Sequence, residues 1–126
     1  MNPRQVITMN PFSKRRTVPQ PRGLIGVLLD ESAEYGDRDD AAMDLSAYDE
    51  PEAEEALLSV ACLPETDPDL AERCGESLGE IWSRRASLSR GGLLKLTGAA
   101  REEALRVIEA SRPEWRAEVE GVRSVG

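Results

Sequence analysis

The stretch Asp67-Pro68-Asp69-Leu70-Ala71-Glu72-Arg73-Cys74-Gly75-Glu76-Ser77-Leu78-Gly79-Glu80-Ile81-Trp82 decides the fold. Asp67 can accept from the free amides of a first helical turn, and Pro68 stands where a missing N–H costs nothing, so a helix is predicted to begin there. Leu70, Cys74, Leu78, Ile81 and Trp82 then follow at spacings of four, four, three and one, which makes one continuous buried face. Gly75 and Gly79 occupy an adjacent ridge. Glycine weakens a helix interior by about 1 kcal/mol, a cost offset where it admits a neighbour, so the pair predicts close packing of a second element. Glu76 and Glu80 interrupt that ridge and exclude its use as a membrane dimer motif.

Upstream, Pro51 occupies a favoured first helical position and Glu52, Glu54 and Glu55 suit the positive end of a helix. Ala56 to Cys62 continues an apolar face, so this helix is expected to stop before Pro64. Further back, Leu24, Val27, Leu28 and Tyr35 suggest a first helix ending near Gly36, and Ala41, Ala42, Leu45 and Tyr48 a second, weakly apolar one. Downstream, Ser83 to Gly92 carries Arg84, Arg85, Arg90 and the pair Gly91-Gly92, which reads as a loop or a frayed helix end. Thr97-Gly98 opens a segment in which Ala100, Ala104, Leu105 and Ile108 share a helical face. Pro113 begins a last short helix with Trp115, Val119 and Val122 aligned.

The run Glu55-Ala56-Leu57-Leu58-Ser59-Val60-Ala61, followed by Thr66-Asp67-Pro68 through Leu78-Gly79-Glu80-Ile81, resembles one HEAT-type helical repeat, covering about residues 51–83. Such a repeat has a first helix, a short turn with Asp and Pro, and a second helix with a Leu-Gly-x-Ile ending. The resemblance implies a stack, because one helix pair cannot cover both of its own faces. Neither Asp37 to Tyr48 nor Ala100 to Val119 repeats the Asp-Pro turn or the Leu-Gly ending, so a long regular solenoid is not implied. The expected fold is all-α: a short stack of antiparallel helix pairs, as a HEAT-like α-solenoid or an irregular helical bundle, with Trp82 and Trp115 as its largest core residues.

A chain of 126 residues has room for one domain, and with only five aromatic residues its core must come from Leu, Ala, Val and Ile. No histidine is present, which removes a Ser-His-Asp triad, a histidine base and histidine-ligated zinc. The net charge of −8 argues against general affinity for nucleic acid. That charge is unevenly spread: residues 1–22 carry +5, residues 23–80 carry −16, and residues 81–126 carry +3. The first segment, with four prolines and no apolar period, reads as a flexible basic arm, and residues 23–126 as a single α-helical domain. Cys62 and Cys74 fall on apolar faces and read as buried free thiols. Leu24 to Leu29 is too short for a secretory signal or a membrane span, so a cytoplasmic location with no membrane partner is expected. Arginine outnumbers lysine fourteen to two, which fits a GC-rich bacterial genome.

The acidic cluster Asp30, Glu31, Glu34, Asp37, Asp39, Asp40, Asp44 is the first candidate for chemistry. Counted from Asp37, a calcium loop needs glycine sixth and glutamate twelfth, where Ala42 and Tyr48 stand, and di-iron bundles need Glu-x-x-His. No catalytic residue, metal site or cofactor is therefore expected. Gly91-Gly92 with Lys95 lacks the spacing of a phosphate loop. Arg84-Arg85-Ala86-Ser87 resembles the sites of basophilic kinases, beside the plainer reading of an arginine-rich loop. The leading expectation is a non-enzymatic protein-binding module that meets a basic protein partner through Asp37, Asp39, Asp40, Asp44, Glu52 and Glu55. One concrete form is an immunity-type inhibitor of a basic bacterial toxin or nuclease. The alternatives are a divalent-metal-dependent hydrolase using the same cluster, and a structural subunit of a helical assembly. The oligomeric state is left open.

Overall fold

The helix Pro68–Ser83 forms as its sequence dictates: the Asp67 carboxylate accepts from the Asp69 amide at 2.8 Å, and Pro68 opens the first turn. Leu70, Cys74, Leu78, Ile81 and Trp82 are all buried along it. In the computed structural model, which describes residues 18–125, this helix is α4 of seven. The others are α1 (Arg22–Leu29), α2 (Tyr35–Leu45), α3 (Pro51–Cys62), α5 (Arg90–Lys95), α6 (Gly98–Ser111) and α7 (Arg116–Val125), with a 3-10 turn at Pro113–Trp115 leading into α7. The fold is all-α, with no strand among the described residues.

Helix α4 is the central rod, and α2, α3 and above all α6 pack on it. The α4–α6 contact depends on the two glycines. A Cβ at Gly75 would stand 2.2 Å from the Ala100 carbonyl oxygen, and one at Gly79 would stand 2.9 Å from that of Ala104. The backbones therefore meet almost directly, with the small residues Ala100 and Ala104 facing them from α6. On the other side the buried Ser77 hydroxyl donates to the Ala42 carbonyl at 2.6 Å, and Arg73 donates to Asp39 at 3.1 Å, which fixes α2 to α4. Trp82 and Trp115 are both buried, as expected. The buried side chains form one contiguous core from Leu28 to Val122.

Three expectations need correction. Residues 1–17 of the basic arm lie outside the described residues. Arg22 is the first residue of α1, and the Gln20 side-chain oxygen accepts from the Leu24 amide at 3.0 Å. The first helix does not run to Gly36. It ends at Leu29, where the Asp30 carboxylate accepts from both the amide and the hydroxyl of Ser32 and turns the chain, while Arg38 donates to the orphan carbonyl of Leu28 at 2.9 Å. The stretch Ser83 to Gly92 is not loop throughout, because Arg90 already belongs to α5. Of the two thiols, Cys74 is buried but Cys62 is exposed, since α3 ends there and leaves its last residue at the surface.

Candidate functional site

Helices α1 and α2 are joined by the short turn at Asp30–Glu34 and pack side by side. Between them runs a groove of about 380 Å³. Its floor is apolar: Leu24 and Val27 from α1, Ala33 from the turn and Ala41 from α2. Its wall is acidic: Asp30 from the end of α1, and Asp37, Asp40 and Asp44 from α2. The last three fall at i, i+3 and i+7 of one helix, so they form a row about 10 Å long. Among the described residues no lysine or arginine forms an ion pair with Asp37, Asp40 or Asp44. The Asp30 carboxyl is held below its ordinary range by the Ser32 hydroxyl and amide.

The six acidic residues singled out by sequence do not act as one set. Asp37, Asp40 and Asp44 line the groove. Asp39 lies on the opposite side of α2 and pairs with Arg73 of α4, which also pairs with Glu76 at 2.7 Å. These three groups belong to a second hollow, of about 360 Å³, whose rim includes the exposed Tyr35. There the Tyr35 hydroxyl is pushed above its ordinary value, first by desolvation and then by the carboxylates of Asp39, Asp69 and Asp67. Glu52 and Glu55 are exposed on α3 and line neither hollow.

Glu54, between those two, is the α3 carboxylate with a defined task that sequence reasoning missed. It accepts from Trp82 Nε1 and from Arg85, both at 2.8 Å. Burial pushes its carboxyl up, but the hydrogen bonds from Arg85 and Trp82 outweigh this and hold it below the ordinary range. The available signal was the helical period: Glu54 stands one residue after the buried Ala53 and three before the buried Leu57. Asp30 was visible only as a member of an acidic run, although Asp30-x-Ser32 is a turn signature that places it at the end of α1.

The groove holds acceptors and hydrocarbon, with no hydroxyl, thiol or amine on its lining to act as nucleophile. Among the described residues no three Cys, Asp or Glu side chains form a group that could hold a metal ion. No helix among them is long and apolar enough to cross a membrane. Chemically, such a lining can pair with cations and cover an apolar side chain between them. Comparison of the chain with protein-family models, curated proteins and solved structures finds no match.

Proposed function

We propose that the protein is a non-enzymatic binding module whose α1–α2 groove receives a basic, partly apolar segment of another protein. The observation that carries this reading is the row Asp37, Asp40, Asp44, left unpaired over the floor made by Leu24, Val27 and Ala41. Several cations elsewhere are committed. Arg73 holds Asp39 and Glu76, Arg84 and Arg85 hold Asp49 and Glu54, and Arg123 holds Glu102, Glu109 and Glu120. The negative potential of residues 23–80 extends over the α1–α2 side, where it steers a positive partner toward the groove and repels acidic ones. An immunity-type inhibitor seated on the basic face of a toxin or nuclease is one form that suits a small acidic chain.

The test uses a helical peptide that presents arginine and leucine on one face, with an equally charged peptide of scrambled order as control. Affinity is read by fluorescence anisotropy at low and at physiological salt. At roughly 0.5 kcal/mol for each surface charge contact, the triple change Asp37→Asn, Asp40→Asn, Asp44→Asn is expected to weaken binding about tenfold. Glu118→Gln, on the exposed face of α7, is expected to leave it unchanged. Equal affinity for the triple variant and the parent, or no loss at higher salt, would overturn the reading.

A further inference from the structure

Residues 84–89 connect α4 to α5 and contain Arg84-Arg85-Ala86-Ser87-Leu88. Arginines three and two residues before a serine, with an apolar residue after it, form a charge pattern that suits the acidic substrate cleft of an arginine-directed kinase. The fold adds three observations to the pattern. Ser87 is exposed on irregular backbone, and its hydroxyl is bonded to no described residue, so nothing structural is asked of it. The two arginines sit in ion pairs near water: Arg84 with Asp49 at 2.9 Å, with side chains 41% and 70% exposed, and Arg85 with Glu54 at 2.8 Å, 37% and 23% exposed. Arg112 donates to the carbonyl oxygens of Ser83 and Arg85, both at 2.9 Å, and pairs with Glu114 at 2.6 Å, which fixes the start of the loop and leaves Ser87 free beyond it.

We propose that Ser87 is a phosphorylation site for a serine/threonine kinase that reads arginine at the two upstream positions. In the transfer, Ser87 Oγ forms a bond to the γ-phosphorus of a nucleoside triphosphate while the bond to the bridging β–γ oxygen breaks. The hydroxyl proton passes to the kinase's base and the nucleoside diphosphate departs. The kinase takes Arg84 and Arg85 from Asp49 and Glu54. Arg84–Asp49 is exposed and worth little, whereas freeing Arg85 leaves the half-buried Glu54 with Trp82 as its donor, so surrendering both slows transfer by about tenfold or more relative to a free peptide. The phosphate then adds about two negative charges to the loop, where it competes with Asp49 and Glu54 for Arg84 and Arg85.

The full-length chain, incubated with the catalytic subunit of an arginine-directed kinase and magnesium ATP, is followed by intact mass and peptide mapping. One phosphate on Ser87 is expected, none in Ser87→Ala, and at least a tenfold slower reaction in Arg85→Ala. Asp49→Asn, which removes the charge opposite Arg84 while its bond to the Ser46 carbonyl stays, is expected to speed transfer about twofold. The proposal is overturned if the folded chain takes no phosphate while a synthetic peptide of residues 82–92 does, or if the phosphate persists in Ser87→Ala.

Discussion

Replacing Gly75 by alanine tests the contact on which the fold is built. In the interior of a solvated helix this exchange stabilises by about 1 kcal/mol, because alanine has the better helical propensity. In α4 the new Cβ would stand 2.2 Å from the Ala100 carbonyl oxygen and 2.9 Å from both its carbonyl carbon and its Cα. Carbon atoms in contact settle at about 3.5–4.0 Å, so α6 has to retreat by roughly an ångström along this crossing. The obstacle is backbone, which cannot rotate away as a side-chain tip could. Overpacking of a close-packed core costs about 1–3 kcal/mol, and this geometry belongs at the upper end, because separating α4 from α6 also opens the core that Leu78, Ile81, Ala104 and Ile108 share. After the propensity gain, a net loss of about 2 kcal/mol is expected.

The measurement is urea unfolding followed by circular dichroism. With an m-value of about 2 kcal/mol/M, the Gly75→Ala midpoint falls by about 1 M at unchanged slope. Two internal controls accompany it. Gly26→Ala on α1, where an added Cβ meets nothing within 4 Å, is expected to raise the midpoint. Gly79→Ala, facing the Ala104 oxygen at 2.9 Å and the Val107 Cβ at 3.0 Å, should lie between the two. A Gly75→Ala midpoint at or above that of the parent, with Gly26→Ala stabilising, would refute the close α4–α6 crossing.

Arg112→Ala removes the donor to the Ser83 and Arg85 carbonyls and the cation stacked 3.8 Å over the Trp115 ring, and is expected to cost about 2 kcal/mol in the same urea assay. Asp67→Ala deletes the cap of α4 and should cost about 1 kcal/mol, with Asp67→Asn retaining most of it. A thiol reagent at pH 8 is expected to label the exposed Cys62 in the native protein and to reach Cys74 only on unfolding. Burial pushes the Cys74 thiol from 9.0 up to about 12, so the neutral thiol favours the fold. That contribution is whole below pH 9 and is lost as pH rises toward 12, which the urea midpoint should follow; its absence in Cys74→Ala isolates the group.

What could be read from sequence was whatever a segment settles by itself. Asp67-Pro68 and the spacing from Leu70 to Trp82 specify a capped amphipathic helix without reference to anything distant, and α4 formed accordingly. Helix α5 escaped for the opposite reason, since each of its supports comes from elsewhere in the chain. Gly91-Gly92 reads as a helix breaker, yet the Trp82 ring lies where a Cβ on Gly92 would be, 2.5 Å away, so that glycine serves packing. The carbonyls at the end of α5 are satisfied by Arg101, which donates to those of Leu93, Leu94 and Leu96. The end of α1 is alike, because the Leu28 carbonyl is met by Arg38 from the following helix.

The same distinction governs the acidic residues. Their number and segment were visible at once, and the helical period already separates Asp37, Asp40 and Asp44 from Asp39, which falls on the far side of α2. Which side is left bare depends on where the cations of α4 and of the following loop reach. Arg73 extends to Asp39, and Arg84 and Arg85 reach back to Asp49 and Glu54, so residues 39–54 lose part of their charge across the bundle. Arg38, the remaining cation of residues 23–80, is spent on a backbone carbonyl. Position on α2 then decides the neighbours: Asp39 meets Arg73 in a hollow that also holds Asp69, Glu72 and Glu76, and the side turned toward α1 keeps three carboxylates beside exposed hydrocarbon. The helical period and the packing of α2 thus divide one acidic run between two surfaces, of which the one beside α1 sets its carboxylates over apolar side chains.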